Sequence, residues 1–173
     1  KIIFDDKGEV AEISPRERLE SHRLIEAYMI AANVAAADFL LEKNLPAVYR
    51  VHEPPAEEKL EELKKLLKAA GFGLHVGAGI KAGHFNRVLK QAEGKPEEFL
   101  VNTAILRSQM QAYYSPECLG HFGLSLRKYT HFTSPIRRYS DLIVHRSLAA
   151  LLEGAAVKKG KKAAGHLADI ALH

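Results

Sequence analysis

The segment YTHFTSPIRRYSDLIVHR, residues 129–146, holds the side chains with the clearest chemical potential. Ser134 is a good N-cap residue and Pro135 suits the first helical position, so the pattern predicts a helix that begins there. Arg137 and Arg138 would then lie in its first turn, where the helix dipole disfavours positive charge. A phosphate bound by both guanidinium groups and by the free N–H groups of the helix start would offset that cost.

Acidic and aromatic residues continue this segment. Asp141 follows Arg137 by four residues and could hold it in place by an ion pair, although such pairs are also common as surface pairs of little energetic value. Tyr139 lies beside the arginines. Aromatic rings next to arginines can stack on the bases of single-stranded nucleic acid, and they can equally belong to a core.

The bulk composition describes an ordinary globular chain with an uneven charge distribution. The 173 residues carry a net charge of +4, with 47% hydrophobic residues and 27% charged residues. Residues 1–100 hold 15 Lys/Arg and 17 Asp/Glu, whereas residues 101–173 hold 10 and 4. The basic second half therefore predicts a polyanionic partner.

Cysteine and hydropathy patterns bear on the compartment. Cys118 is the only cysteine, so no internal disulfide forms and a reducing, cytoplasmic location is expected. No apolar run of membrane-spanning length and no signal peptide is evident, which predicts no membrane association. The chain begins without Met and stops inside a segment that reads as helix (161–173), so we expect a piece of a longer protein.

Local patterns predict an α+β fold in which helices dominate. The expected elements are a hairpin over 1–13 with a turn at Asp5-Asp6-Lys7-Gly8, a helix from Ser14-Pro15 to about Lys43, a strand over 47–52, a Leu-striped helix over 57–70 capped by Gly71, and helices over 84–93 and 96–115.

Polar residues interrupt the long first helix. Glu26 and Asn33 lie seven residues apart and hence near one face. They either form a solvated outer face or line a ligand channel.

Several tempting sites are rejected on their spacing. The Gly-rich stretch 71–83 lacks the Gly-Lys-Ser/Thr ending of a nucleotide loop. The histidines show no close metal-ligand spacing, so no zinc site is expected. Asp5 and Asp6 read as turn residues rather than metal ligands. The basic tract 158–162 reads as a solvated loop.

At this point the motif HFTSPIRRYSDLIVHR, residues 131–146, resembles the signature of the RNB catalytic domain of the ribonuclease II and ribonuclease R family. The segments 106–129, 22–40 and 49–55 resemble three further blocks of that family. The ribonuclease R-like subgroup fits best. The resemblance implies that residues 1–173 are the C-terminal two-thirds of an RNB-type catalytic domain, with its N-terminal part and its cold-shock and S1 domains outside this sequence.

The resemblance also implies an activity. Members hydrolyse single-stranded RNA processively from the 3′ end to nucleoside 5′-monophosphates and use Mg²⁺ held by aspartates. Those ligands are expected outside this chain, ahead of Lys1, so the chain alone is expected to be inactive. A monomer that binds single-stranded RNA is expected. A catalytically inert RNA-binding module and a structural interaction domain are the alternatives.

Residue roles follow from the same resemblance. Arg137 matches the catalytic arginine that supports the transition state. Glu26 matches a glutamate that contacts the RNA 3′ end, although the following Ala27-Tyr28 departs from the usual family pattern. Arg138 and Tyr139 are expected to bind RNA. Asp141 and Asn33 are expected to support the site.

Overall fold

The computed structural model describes residues 2–14, 18–77 and 79–154. The chain divides into two units, one covering residues 1–32 and the other beginning at residue 33. Helices dominate the described residues and the strands are short, which confirms the predicted α+β class. The elements are β1 (Ile2–Phe4), β2 (Val10–Ile13), α1 (Glu20–Glu42), β3 (Tyr49–Val51), α2 (Glu57–Ala69), α3 (Ala82–Ala92), α4 (Glu98–Ser108), β4 (Tyr113–Ser115), a 3-10 helix (Phe122–Leu124) and α5 (Tyr139–Leu152).

The first unit starts with the predicted hairpin. β1 and β2 pair antiparallel, with Ile2 opposite Ile13. Asp5 shapes the turn, because its Oδ1 accepts hydrogen bonds from the N–H groups of Lys7 (2.9 Å) and Glu9 (2.8 Å). The interpretation of the aspartates as turn residues is therefore confirmed for Asp5.

α1 begins later than the sequence suggests. Arg18 and Leu19 are not helical, and the helix starts at Glu20, so the prediction of a helix from Ser14-Pro15 is wrong. Residues 15–17 lie outside the described residues. The helix start is set instead by His22, whose Nδ1 accepts a hydrogen bond from the Leu19 N–H at 3.1 Å.

α1 is a long, largely apolar helix. Its 23 residues are enough, by length and composition, to cross a membrane. The expectation that no segment of the chain could span a membrane is therefore not met, as far as length and composition go. This is weak evidence for a span, because core helices share the same character. The second half of α1 supplies such a core, with Ala37 and Leu40 fully buried.

β3 organises the core of the second unit. It pairs antiparallel with β4, placing Arg50 opposite Tyr114, and the Arg50 N–H also donates to the carbonyl of Tyr129 at 3.1 Å. One hydrophobic cluster surrounds this strand and joins the end of α1 to α5. Its members include Ala37, Leu40, Val51 and Val144.

A second hydrophobic cluster joins α2, α3 and α4. The sequence predicts a stripe of Leu60, Leu63, Leu66 and Leu67 on α2. It is confirmed for Leu60, Leu63 and Leu67, which are buried, and wrong for Leu66, which is 38% exposed. α2 ends at Ala69, and Gly71 follows it in a left-handed conformation (φ +83°) that favours glycine, as expected for a helix-terminating glycine. The Phe72 N–H then donates to the Leu67 carbonyl at 2.8 Å, as in a Schellman motif.

The prediction of one helix over 96–115 is wrong. α4 ends at Ser108, and Gln109 is extended (φ −70°, ψ 147°). Tyr113–Ser115 pairs with β3 instead, and the Arg50 guanidinium lies 4.7 Å from the centroid of the Tyr114 ring. Pairing with a distant strand therefore overrides local helix propensity. The basic tract 158–162 and the predicted terminal helix 161–173 lie outside the described residues.

The buried leucine stripe gives a stability prediction. Leu67→Ala is expected to lower the free energy of unfolding by about 2–5 kcal/mol, because Leu67 is fully buried and its removal leaves a cavity. Leu66→Ala, one residue earlier and 38% exposed, is the control and should cost less than about 1.5 kcal/mol. Urea unfolding of both variants measures the difference. Equal losses would contradict the packing of α2.

Candidate nucleic-acid interface

The arginine pair lies in a turn that precedes α5. Pro135–Arg137 form this turn and the helix begins at Tyr139. The N–H groups of Arg137 and Arg138 donate to the Ser134 carbonyl, at 3.3 and 3.1 Å. The prediction that both arginines occupy the first helical turn, with free N–H groups completing an anion site, is therefore wrong.

Asp141 determines the shape of this turn. Its side chain is fully buried, and Oδ1 accepts hydrogen bonds from the Ser134 N–H and from Nη2 of Arg138, both at 2.7 Å. Oδ2 accepts a third bond from the Ser140 hydroxyl at 3.3 Å. A carboxylate in the first helical turn also interacts favourably with the helix dipole. One buried anion thus stabilises the helix start and draws Arg138 against it.

The two arginines consequently have different environments. The Arg138 side chain is 21% exposed and ion-paired, and its buried Nε has no hydrogen-bond partner among the residues that the structure describes. Arg137 is exposed, and within the described part of the chain its guanidinium forms no ion pair. The predicted pair between Arg137 and Asp141 is therefore wrong, because Arg138 occupies that position. Arg137 remains available to an external anion.

Apolar and aromatic surface adjoins Arg137. Ile136 is fully exposed at the tip of the turn, and Tyr139 is 55% exposed at the start of α5. A cation beside such surface suits a nucleotide, whose phosphate is anionic and whose base is flat and apolar on its faces. Tyr139 is thus a surface residue rather than part of the core.

Phe132, just ahead of the turn, is held from two sides. Asn33 is buried; its Oδ1 accepts from the Phe132 N–H at 2.9 Å and its Nδ2 donates to the Tyr129 hydroxyl at 3.0 Å. His145 donates from Nε2 to the Phe132 carbonyl at 2.8 Å, and the two rings stack with centroids 4.3 Å apart. Asn33 is therefore not part of a solvated face. It anchors the segment that leads to the arginine turn.

A row of rings continues from Tyr129 in both directions. Adjacent centroids are 5.0 Å apart for His52 and His121, 5.3 Å for His121 and Tyr129, 5.8 Å for Tyr129 and His131, and 5.6 Å for His131 and Tyr114. The Tyr114 hydroxyl and His131 Nδ1 also share a hydrogen bond of 2.8 Å. Mostly edge-on contacts of this kind stabilise the packing beyond simple burial.

Two histidines of this row are neutral at neutral pH. Burial lowers the pKa of His131 to about 4, and the charge of Arg138 acts in the same direction. Burial also lowers the pKa of His121 to about 4, with a further contribution from His52. The positive charge beside the turn therefore comes from the arginines.

Glu26 belongs to the first unit and is described there by itself. It is exposed on α1 and forms an ion pair with Arg18. Its role at an RNA 3′ end stays a prediction.

The described residues do not form a metal site. Within 2–14, 18–77 and 79–154, no group of three or more His, Cys, Asp or Glu side chains is arranged to hold a metal ion. Asp141 is occupied by Arg138 and by the Ser134 N–H. A Mg²⁺ site therefore does not fit this part of the chain.

Sequence reasoning missed the residues that hold the arginine turn. Tyr129 and Phe132 are 96 and 99 residues from their partner Asn33, a separation that no local pattern reveals. For His145 a signal was visible, since it follows Asp141 by four residues on α5. That spacing places both side chains on one helix face, where they hold two points of the same segment.

Comparison with known proteins gives a consistent result. The RNB domain family matches residues 1–154. Ribonuclease R from Aquifex aeolicus is 46% identical over 154 residues, which cover 89% of this chain and 22% of the relative. The chain thus spans about a fifth of the length of the curated relatives it matches.

Two solved structures also match this chain. Mycoplasma genitalium RNase R in complex with ribose-methylated single-stranded RNA matches with a TM-score of 0.86 and 27% identity, over 99% of this chain and 27% of that chain. Yeast Ssd1, a pseudonuclease, matches with a TM-score of 0.71 and 21% identity, over 87% of this chain and 20% of that chain. The Ssd1 match shows a shared fold only.

The buried ion pair predicts a large stability effect. Asp141→Asn is expected to lower the free energy of unfolding by about 3 kcal/mol or more, because Arg138 loses its counter-ion in a mostly buried setting. Asp38→Asn, which removes an exposed pair with Lys128, is the control and should cost less than about 1 kcal/mol. Chemical denaturation of both variants measures the difference, and a loss at Asp141 no larger than at Asp38 would contradict the role of Asp141.

The neutral histidines predict a pH dependence. The folded state holds the pKa of His131 near 4, below its ordinary value of 6.5, so the unfolded chain binds protons first as the pH falls. Stability should be full above about pH 6.5 and decline towards about pH 4. His131→Gln should flatten that decline relative to the exposed control His75→Gln. Unfolding measured at several pH values decides this, and parallel curves for all three proteins would refute it.

Proposed function

We propose, because the chain belongs to the RNB domain family, that it forms part of the catalytic domain of an exoribonuclease that degrades single-stranded RNA. The observation that carries this proposal is Arg137, which is exposed and has no ion pair among the described residues, on a turn that buried Asp141 and its partner Arg138 hold in shape. Such a guanidinium is prepared to meet a phosphate without breaking an existing ion pair.

Arg137 would act on charge that develops during phosphodiester hydrolysis. Attack of water on the phosphorus increases negative charge on the phosphoryl oxygens. A donor aimed at those oxygens stabilises the transition state more than the ground state, and so raises the rate. Arg138 would act indirectly, since its ion pair with Asp141 fixes the backbone from which Arg137 projects.

The proposed activity also requires Mg²⁺, whose ligands are not among the described residues. Such an ion would polarise the phosphate and lower the pKa of attacking water. The carboxylates that hold it would come from outside the described part of the chain.

The finer features of the reaction are proposed on the family resemblance. The enzyme would act processively from the 3′ end, release nucleoside 5′-monophosphates, and use Glu26 at the RNA 3′ end. Tyr139, with its exposed ring, would contact a base, and Arg138 would support the same RNA-binding surface through its ion pair with Asp141. A monomeric, cytoplasmic protein without membrane association is the proposed setting.

An inert RNA-binding module is the alternative function. The observation in its favour is that this fold also occurs in a pseudonuclease, so the fold alone does not guarantee catalysis. The alternative shares the RNA surface and lacks the chemical step.

The test of function is a time course on 5′-labelled single-stranded RNA with the full-length protein. Progressive shortening from the 3′ end in Mg²⁺, abolished by EDTA, is expected. Binding without shortening would establish the inert module. The 173-residue chain alone, assayed in parallel, is expected to leave the RNA intact.

Arg137 provides the sharpest mutational prediction. In the full-length protein, Arg137→Ala should lower turnover by about 10²–10³-fold while RNA affinity changes much less, because the interaction strengthens in the transition state. Arg146→Ala is the matched control, since it removes the same charge from an exposed position on α5. Single-turnover cleavage and equilibrium binding are measured for each. Equal losses in rate and affinity would refute the transition-state role.

A further inference from the structure

A cavity lies away from the arginine turn, between α3, α4 and the 3-10 helix. Its volume is about 490 Å³, within the range of roughly 300–1,000 Å³ found for small-molecule sites. None of residues 131–146 lines it. The cavity therefore belongs to a different surface from the one that carries Arg137.

The walls of the cavity are largely apolar and include two ring faces. Phe85 and Ile105 are buried and form part of the hydrophobic cluster of α2–α4. Phe122 and His52 contribute rings whose centroids are 6.1 Å apart at an interplanar angle of 73°. Such walls favour a flat, apolar-faced ligand.

Both ring nitrogens of His52 form hydrogen bonds. Its Nδ1 accepts a hydrogen bond from the Gly123 N–H at 2.9 Å, so this nitrogen carries no proton. Its Nε2 then donates to the Met110 carbonyl at 2.8 Å. With both nitrogens hydrogen-bonded to the backbone, His52 offers the cavity its ring. A Cβ at residue 123 would lie 2.8 Å from His52 Nδ1, so glycine is needed for this contact.

Carboxamides supply the polar groups of the lining. Asn86 on α3 and Asn102 on α4 are exposed, and neither side chain hydrogen-bonds to the described residues. Gln109 donates to the carbonyl of Ile105 at 3.3 Å, which leaves its oxygen without a partner among those residues. None of the described residues that line the cavity is Asp, Glu, Lys or Arg. Amides pair with ligands that present both donors and acceptors at one edge.

We propose that this cavity binds a nucleobase of single-stranded RNA, at a subsite separate from the arginine turn. An apolar floor with ring faces accepts the base, and the free amides of Asn86 and Asn102 meet its polar edge. The cavity is neutral, so the phosphates stay outside it, where exposed Lys81 and Arg107 adjoin lining residues Ala82 and Leu106 along the chain. The proposal rests on the proposed function for its ligand, RNA.

The test uses the full-length protein, EDTA to prevent cleavage, and oligouridine with one 4-thiouridine as a photo-crosslinking probe. Crosslinks identified by mass spectrometry are expected in peptides that contain Phe85 or Phe122. Asn102→Leu should reduce their yield by about three- to tenfold, because an amide that pairs with the base is replaced by an apolar group of similar size. Gln91→Leu, an exposed amide on α3 that does not line the cavity, should leave the yield unchanged.

Other results of the crosslinking experiment would overturn the proposal or indicate a different ligand. Crosslinks confined to other peptides, or a yield unaffected by Asn102→Leu, would overturn the proposal. An apolar segment of a protein partner would be indicated instead if Asn102→Leu tightened binding of a leucine-rich peptide while leaving RNA unaffected.

An experiment with free nucleosides tests binding in the cavity independently of the proposed nuclease activity. Saturation-transfer NMR with uridine and adenosine needs neither catalysis nor an RNA chain. A nucleoside signal weakened by Asn102→Leu in a protein that does not degrade RNA would support the cavity and refute the nuclease. RNA degradation without any cavity signal would refute the cavity alone.

Discussion

The burial of one carboxylate determines the arrangement of the candidate interface. Asp141 is fully removed from solvent, and a buried anion is costly unless hydrogen bonds and a counter-charge compensate it. The Ser134 N–H and Arg138 supply both, at 2.7 Å each. This compensation draws the chain into a turn and delays the start of α5 to Tyr139. Of the two arginines in the turn, Arg137 is left without an ion pair among the described residues.

The arginine turn itself depends on contacts between distant parts of the second unit. Phe132 is fixed through its N–H by Asn33, through its carbonyl by His145, and through its ring by stacking on His145. The neutral state of His131 avoids a further charge beside Arg138. The position of Arg137 therefore depends on three elements together: α1, the loop that precedes the arginine turn, and α5. Electrostatic catalysis requires such preorganisation of a charged group.

The two candidate surfaces differ in the chemistry they offer. The arginine turn is cationic and exposed, which suits a phosphate. The cavity between α3 and α4 is neutral, with ring faces and unpaired amides, which suits a base. A nucleotide chain presents both kinds of group in alternation, so a protein that binds RNA over several nucleotides benefits from both kinds of site.

Local sequence patterns were sufficient where short-range physics decides the outcome. The hairpin turn at Asp5, the buried leucines of α2 and the left-handed Gly71 that follows this helix all depend on residues within a few positions, and all were predicted. The signature around Arg137 likewise marked the family. The partner of Asp141 was not predictable in this way, because spacing permits either arginine and only burial of the carboxylate selects Arg138. The end of α4 and the role of Asn33 were decided by strand pairing and by hydrogen bonds across about a hundred residues, which exist only once the chain has folded.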